Sequence, residues 1–206
     1  MMSSEKIDQD LTFAPITSVR WPDVVRLFEG HGNPGYCWCM RWRARASTFQ
    51  KLGREGRKDA LHDLVEAGTS VGILAYLAGE PVGWCSVAPR DTYQALEHSR
   101  VLKRFDNAST WAIVCFFVKR TVRGRHLSLA LLNAAVAYAL AHGAEAVEGY
   151  PVDRDATSYQ FMGLVSTFEK AGFRDVTPKE GGRRIMRFAP ESERQPSLPR
   201  STTWLD

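Results

Sequence analysis

The 206-residue chain is predicted to fold as a single α/β domain around a sheet of mixed strand direction. Three observations predict this. Two β-rich runs, residues 71–77 and 81–87, are joined by the short link Ala78-Gly79-Glu80, the pattern of a hairpin. Residues 111–118 are apolar without alternation, as in a strand covered on both faces. Strand and helix patterns then alternate: a helix over 126–142, a strand over 144–150, a helix over 161–171, and a last strand pair over 173–176 and 184–188. A chain of this length suits one domain with a substantial core.

Taken in order, residues 1–10 form an N-terminal extension and residues 11–189 the domain. A first strand is expected over 11–17 and a helix over 22–29, with Pro22 where a helix start tolerates proline and Val24, Val25, Leu27 and Phe28 as its apolar face. The breaker-rich stretch from Gly30 to Gly35 stops that helix. An aromatic and basic stretch, residues 36–43, follows, and a helix over 57–67 carries Ala60, Leu61, Leu64 and Val65 at helical spacing. A short helix is expected over 93–98. Gly143 and Gly172 close the helices before them. Residues 190–206, rich in Ser, Pro, Arg and Glu, are expected to be a flexible tail.

Composition excludes several classes. Hydrophobic residues at 44% and charged residues at 24% are those of a globular chain, which rules out disorder of the whole. No apolar run reaches the roughly 20 residues of a membrane span. The N-terminus lacks a basic start followed by an apolar run, so a cytoplasmic address is expected. The net charge of +4 favours polyanions without forming the basic stripe of a nucleic-acid binder. Cys85 and Cys115 lie in strand-like runs. Cys37 and Cys39 are too closely spaced, with no second ligand pair, for a structural zinc site, so no metal is expected. His62, His98 and His142 read as surface or helix-end residues.

The most informative stretch is the buried strand, basic loop and long helix from Phe116 to Ser128. The first-turn N–H groups of a helix are unpaired and carry partial positive charge, which suits phosphate. Arg120, Arg123 and Arg125 add full charges in one short loop. A solvated basic loop beside an ordinary crossover helix is the alternative.

Arg123-Gly124-Arg125-His126-Leu127-Ser128 resembles the acetyl-CoA motif of the GNAT superfamily, Gln/Arg-x-x-Gly-x-Gly/Ala, with His126 and Ser128 standing at the glycine positions. Residues 144–153 are similar to the fifth strand of that superfamily, and Phe168-Glu169-Lys170-Ala171-Gly172-Phe173 to its closing Tyr-Glu-Lys-x-Gly-Phe motif. Val82-Gly83-Trp84-Cys85 resembles the third strand. Cys37-Trp38-Cys39-Met40, Cys115-Phe116-Phe117-Val118 and Glu148-Gly149-Tyr150-Pro151 together resemble a bacterial subgroup of poorly defined substrate.

The resemblance, over roughly residues 11–188, implies a mostly antiparallel sheet with splayed parallel strands four and five and helices on both faces. It implies N-acetyl transfer from acetyl-CoA to an amine. Phe117, Val118, Arg123, Gly124, Arg125, His126, Leu127 and Ser128 are the expected acetyl-CoA contacts. Glu148 is the first candidate base and Asp153 the second. Phe168 stands where the family often has a tyrosine acid and cannot donate a proton, so Tyr159 or Ser166 is the substitute. Trp38, Trp42 and Tyr150 are candidate acceptor-site residues, the two tryptophans by cation–π contact or else as core. The alternative function is a non-catalytic acyl-CoA sensor or scaffold. A nucleic-acid module built on Arg41, Arg43, Arg45 and Trp42 ranks below both. The expected assembly is a monomer or homodimer, with no nucleic-acid or membrane partner.

Overall fold

The strands in the computed structural model are β1 (Leu11–Pro15), β2 (Ile73–Leu77), β3 (Glu80–Pro89), β4 (Thr110–Val118), β5 (Ala146–Gly149), β6 (Arg174–Asp175), β7 (Met186–Phe188) and β8 (Thr203–Trp204). The structure describes residues 11–30, 34–104, 106–124, 126–178, 182–190 and 203–204. These strands form one sheet in the order β6-β7-β5-β4-β3-β2-β1-β8. Neighbours are antiparallel except β4 with β5 and β1 with β8. The helices are α1 (Trp21–Phe28), α2 (Ala46–Glu66), α3 (Gln94–Glu97), α4 (Leu127–Ala141) and α5 (Val165–Lys170). Among the described residues no helix is long and apolar enough to cross a membrane.

Strand alternation builds two cores, one on each face. Leu74 and Tyr76 of β2, with Ala112 and Val114 of β4, face a layer holding Val24, Leu27 and Phe28 of α1 and Leu61 and Val65 of α2. Ile73, Ala75, Trp111 and Ile113 face the other layer, where Leu131, Leu132, Ala135 and Ala139 of α4 pack with Phe168 of α5. Alanine on α4 lets the helix lie close to the sheet, and its strong helix propensity suits a crossover of this length.

The β2–β3 hairpin closes through two residues, since Leu77 pairs directly with Glu80. Ala78 and Gly79 both have positive φ (50° and 78°), as a type I′ turn requires.

Two expected helices differ in the structure. The one expected over 57–67 begins at Ala46, and Gly53 (φ 60°, ψ −168°) breaks it. The buried Arg57 holds the break together: its Nε and Nη2 donate to the Phe49 carbonyl at 2.9 and 2.8 Å, and its Nη1 to the Tyr36 carbonyl at 2.9 Å. A lone arginine in a charged stretch gives no sign of this in the sequence. The helix expected over 161–171 is instead a 3₁₀ turn, Gln160–Met162, then Gly163 at φ 92°, then α5. A side chain on Gly163 would meet Phe168 at 2.8 Å, so the break is where the chain lets that ring in.

At the chain's C-terminal end, Thr203–Trp204 pairs with Thr12 and Phe13 of β1, and Trp204 stacks on Phe13 and Tyr138. At those two residues the expected flexible tail is a strand. Residues 1–10, 191–202 and 205–206 lie outside the described residues.

Candidate active site

The two parallel strands in the middle of the sheet part company. Pairing between β4 and β5 runs from Thr110↔Ala146 to Ile113↔Gly149 and stops there. At the same level β4 has an extra residue against β3: Ser86 opposes Cys115 but Val87 opposes Ile113, leaving Val114 over. Such a bulge bends its strand and adds twist. Accordingly Val114 and Cys115 both face the α1–α2 layer, and alternation resumes with Phe116 on the α4 side. β4 thus continues to Val118 with one edge open.

The gap holds a cavity of about 640 Å³, with Phe116, Phe117 and Val118 on one wall and Gly163, Leu164, Thr167 and Phe168 on the other. Val118, Arg123, Ser128 and Thr167 also line a second cavity, of about 260 Å³, at the start of α4. The two cavities adjoin across these four residues and together are termed the channel.

Hydrogen-bond parity decides which backbone groups face the gap. The Lys119 N–H donates to the Val82 carbonyl at 2.9 Å. In an antiparallel ladder such pairs alternate, so Phe117, opposite Trp84, also turns its amide and carbonyl to β3. Phe116 and Val118 turn theirs to the open edge. Arg123 Nε already donates to the Val118 carbonyl there, at 3.0 Å. Of the expected backbone contacts, Val118 faces the channel with its main chain while Phe117 contributes its ring. Phe116 was missed, because parity is set by the loop that ends the strand and leaves no mark in an apolar run.

Beyond β4 the chain makes a 3₁₀ turn over Arg120–Val122, and Gly124 adopts φ 79°. His126 is the N-cap of α4 in the left-handed region (φ 57°), and its carbonyl accepts the N–H groups of Leu129 and Ala130. This is the conformation glycine adopts freely and a side chain adopts at a cost of about 1–2 kcal/mol. His126 is exposed there and lines the same second cavity. The N–H groups of Leu127 and Ser128 therefore open the helix without intrahelical partners. Arg123 and Lys170 line the same cavity, and among its described lining residues there is no carboxylate. A polyphosphate fits such a terminus. Arg125 lies outside the described residues.

The remaining candidates are dispersed. Glu148 is 1% exposed and does not line the channel. Its Oε1 accepts from Arg187 Nη1 at 2.9 Å; its Oε2 accepts from the Tyr150 hydroxyl at 3.0 Å and lies 3.4 Å from Arg90 Nε. Arg90 also pairs with Glu97 and donates to the Leu102 carbonyl at 2.6 Å, and Arg187 reaches Asp106 at 2.8 Å. Placing Glu148 on the cleft wall is thus corrected: parity sends its side chain to a buried ion cluster. Tyr150 belongs to that cluster, its hydroxyl pushed up by burial and by the Glu148 charge. Trp38 is also buried, packed on Phe28 and Trp21, so it is core and not acceptor wall. Ser166 is exposed on α5, and its neighbour Thr167 is the residue that lines the channel. Asp153 is paired with Arg184 at 3.4 Å. Besides Glu148 and Tyr150 within the ion cluster, Trp42 and Tyr159 come together, with ring centroids 6.4 Å apart.

The cysteines pack as thiols. Cys39 Sγ accepts from Trp84 Nε1 at 2.8 Å, and burial pushes the Cys39 thiol up. No group of metal-ligating side chains is assembled among the described residues.

A family model for the acetyltransferase (GNAT) family matches residues 38–163. Among solved structures, the chain is similar to the PaiA N-acetyltransferase of Thermoplasma acidophilum in complex with coenzyme A (TM-score 0.51, 13% identity, covering 87% of this chain and 99% of that one). It is similar to the ribosomal-protein-S5-alanine acetyltransferase of Vibrio fischeri (TM-score 0.55, 12% identity, 90% and 96% covered). It is also similar to yncA of Salmonella typhimurium, solved with its cofactor acetyl-CoA (TM-score 0.50, 14% identity, 91% and 98% covered). At these identities the likeness is one of fold. No curated protein matches the chain significantly in sequence.

Proposed function

The chain belongs to the acetyltransferase (GNAT) family, and on that premise we propose that it moves the acetyl group of acetyl-CoA to a primary amine by direct attack on the thioester. The observation that carries this reading is the channel itself. It runs from the open edge of β4 to the cationic start of α4, so one extended ligand can place phosphates on Arg123 and the α4 amides and its acyl arm beside Phe116 and Val118.

In this reading the amine nitrogen forms a bond to the thioester carbon, the carbon–sulfur bond breaks, and the electron pair leaves on sulfur. An N–H aimed from the open β4 edge stabilises the oxyanion that forms between the two events. The proton shed by the amine passes through water to solvent, since the oxygens of Glu148 are occupied by Arg187 and Tyr150. A thiol with a pKa near ~8.5 leaves without strong acid assistance, and Tyr159 is the phenol closest in sequence to the cleft wall that can supply some.

Calorimetric titration with acetyl-CoA tests the cofactor half. Arg123→Ala is expected to weaken binding by roughly 10- to 100-fold, the range of a lost charge-assisted hydrogen bond. A wild-type protein that does not bind acetyl-CoA overturns the reading. The second reading, a non-catalytic acyl-CoA sensor or scaffold, is favoured by Phe168 standing without a hydroxyl on the channel wall. Thiol release with a panel of amines separates the two: tight binding without release for any amine supports the sensor.

A further inference from the structure

Resting on the N-acetyltransferase reading, we infer that the acceptor amine also carries an anionic oxygen group, a carboxylate or a phosphate, taken by Arg183 and Arg41. The inference starts from where the charges near the cleft have gone. Asp153 and Asp175 are the nearby acids, and both pair with Arg184, at 3.4 and 2.8 Å. Arg183, next in the chain, turns the other way. Its guanidinium carbon stands 4.1 Å from the centre of the Tyr159 ring and 5.6 Å from that of Trp42. Arg41 covers the same indole at 5.5 Å.

Arg41, Arg154 and Arg183 have no carboxylate partner among the described residues. Among the described residues Arg183 has one hydrogen-bond acceptor, the Met162 sulfur at 3.0 Å, which is a weak one for a group with five donors. Burial disfavours its charged form most; Tyr159 partly offsets this, and the Arg41 charge works against it again. The buried indole N–H of Trp42 likewise has no partner among the described residues. Half-buried cations are ordinarily paired. Here two of them flank one indole, and an oxyanion supplies the carboxylate partner that the described residues do not.

The cluster is placed for an acceptor. Trp42 and Met162 belong to the core layer on the α1–α2 face of the sheet, opposite the face that α4 covers. Tyr159 packs on Phe161, which with Arg154 lines the channel, and Arg183 lines a neighbouring cavity of about 400 Å³, just past β5, whose two carboxylates, Asp153 and Asp175, are the ones already paired with Arg184. Donor phosphates and acceptor anion thus lie on opposite faces, with the splayed strands between them. The same geometry corrects the expectation that Trp42 holds the acceptor's ammonium by cation–π contact: its ring already carries two guanidinium groups.

The test measures thiol release with amine pairs that differ by one anionic group: lysine against cadaverine, tyrosine against tyramine, and phosphoethanolamine against ethanolamine. At least one anionic member is expected to exceed its partner tenfold or more in kcat/KM. The first two pairs report a carboxylate and the third a phosphate. Arg183→Gln is expected to reduce that preference to threefold or less, through KM, with acetyl-CoA affinity kept. Arg41→Gln, away from the Tyr159 stack, is expected to reduce it in the same direction. Equal or better use of the uncharged partners, an unchanged ratio in both variants, or no turnover of any pair by a protein that binds acetyl-CoA overturns the inference. A wild-type protein that fails to bind acetyl-CoA overturns the transferase reading and this one with it.

Discussion

Glu148→Ala is expected to lower folding stability by about 3–5 kcal/mol, the cost of leaving a buried charge without its partner, and so to lower the melting temperature by roughly 10 °C. The reason lies in what Glu148 neutralises. Its two oxygens face Arg187, Tyr150 and Arg90 in a region where Arg90 is about as buried as the carboxylate itself. Glu148→Gln keeps the shape and an acceptor for the tyrosine, while Arg187 retains Asp106 and Arg90 retains Glu97. Its cost is therefore smaller, about 1–3 kcal/mol. Urea denaturation measures both. Kinetics then separate an ion-cluster role from a catalytic one. Removing a general base costs about 10²- to 10⁴-fold, whereas Glu148→Gln, assayed well below its melting temperature, is expected to lose less than about tenfold in kcat. A well-folded variant with a hundredfold loss would return Glu148 to the base role.

That cluster shows where the sequence could and could not be read. Residues 111–118 announce a buried strand because every side chain in them is apolar. The loop after them announces an anion site because arginines crowd before a long helix. Both readings depend on neighbours in the chain. The bulge at Val114, the parity that turns the main chain of Phe116 and not that of Phe117 to the gap, and the direction of Glu148 depend on partners far away. Ala112 and Arg187 flank Glu148 from different strands. Arg90 reaches it from the end of β3. An isolated arginine after Pro89 and another between Met186 and Phe188 carry no local sign that they meet at one carboxylate. The same holds for Arg183 and Arg184, adjacent in sequence, which turn to opposite environments: aromatic rings for one, carboxylates for the other.

Phe168→Ala is the other large effect, expected to cost about 3–5 kcal/mol as the loss of a fully buried ring. Phe168 fills the angle between the parting strands. It meets Phe116 and Phe173 edge-on, with centroids 6.0 and 4.9 Å apart. It also lies so close to β5 that a Cβ built on Gly149 would stand 2.0 Å from its Cε1. Gly149→Ala is accordingly expected to destabilise the wild-type protein at the upper end of the 1–3 kcal/mol typical of overpacking, about 3 kcal/mol. The two changes must not add. Once the ring is gone, the new methyl group enters the space it left, so Gly149→Ala is expected to be near neutral in the Phe168→Ala background. That gives a coupling of about 2 kcal/mol or more in a double-mutant cycle. Additive costs would mean that β5 yields to the methyl group without touching the ring. Because Phe168 also lines the channel, the cycle extends to ligand binding. Phe168→Ala opens the channel wall and is expected to weaken acetyl-CoA at least threefold, and adding Gly149→Ala is expected to recover part of that loss. Packing between the splayed strands would then set both the stability of the sheet and the width of the acetyl-CoA cleft.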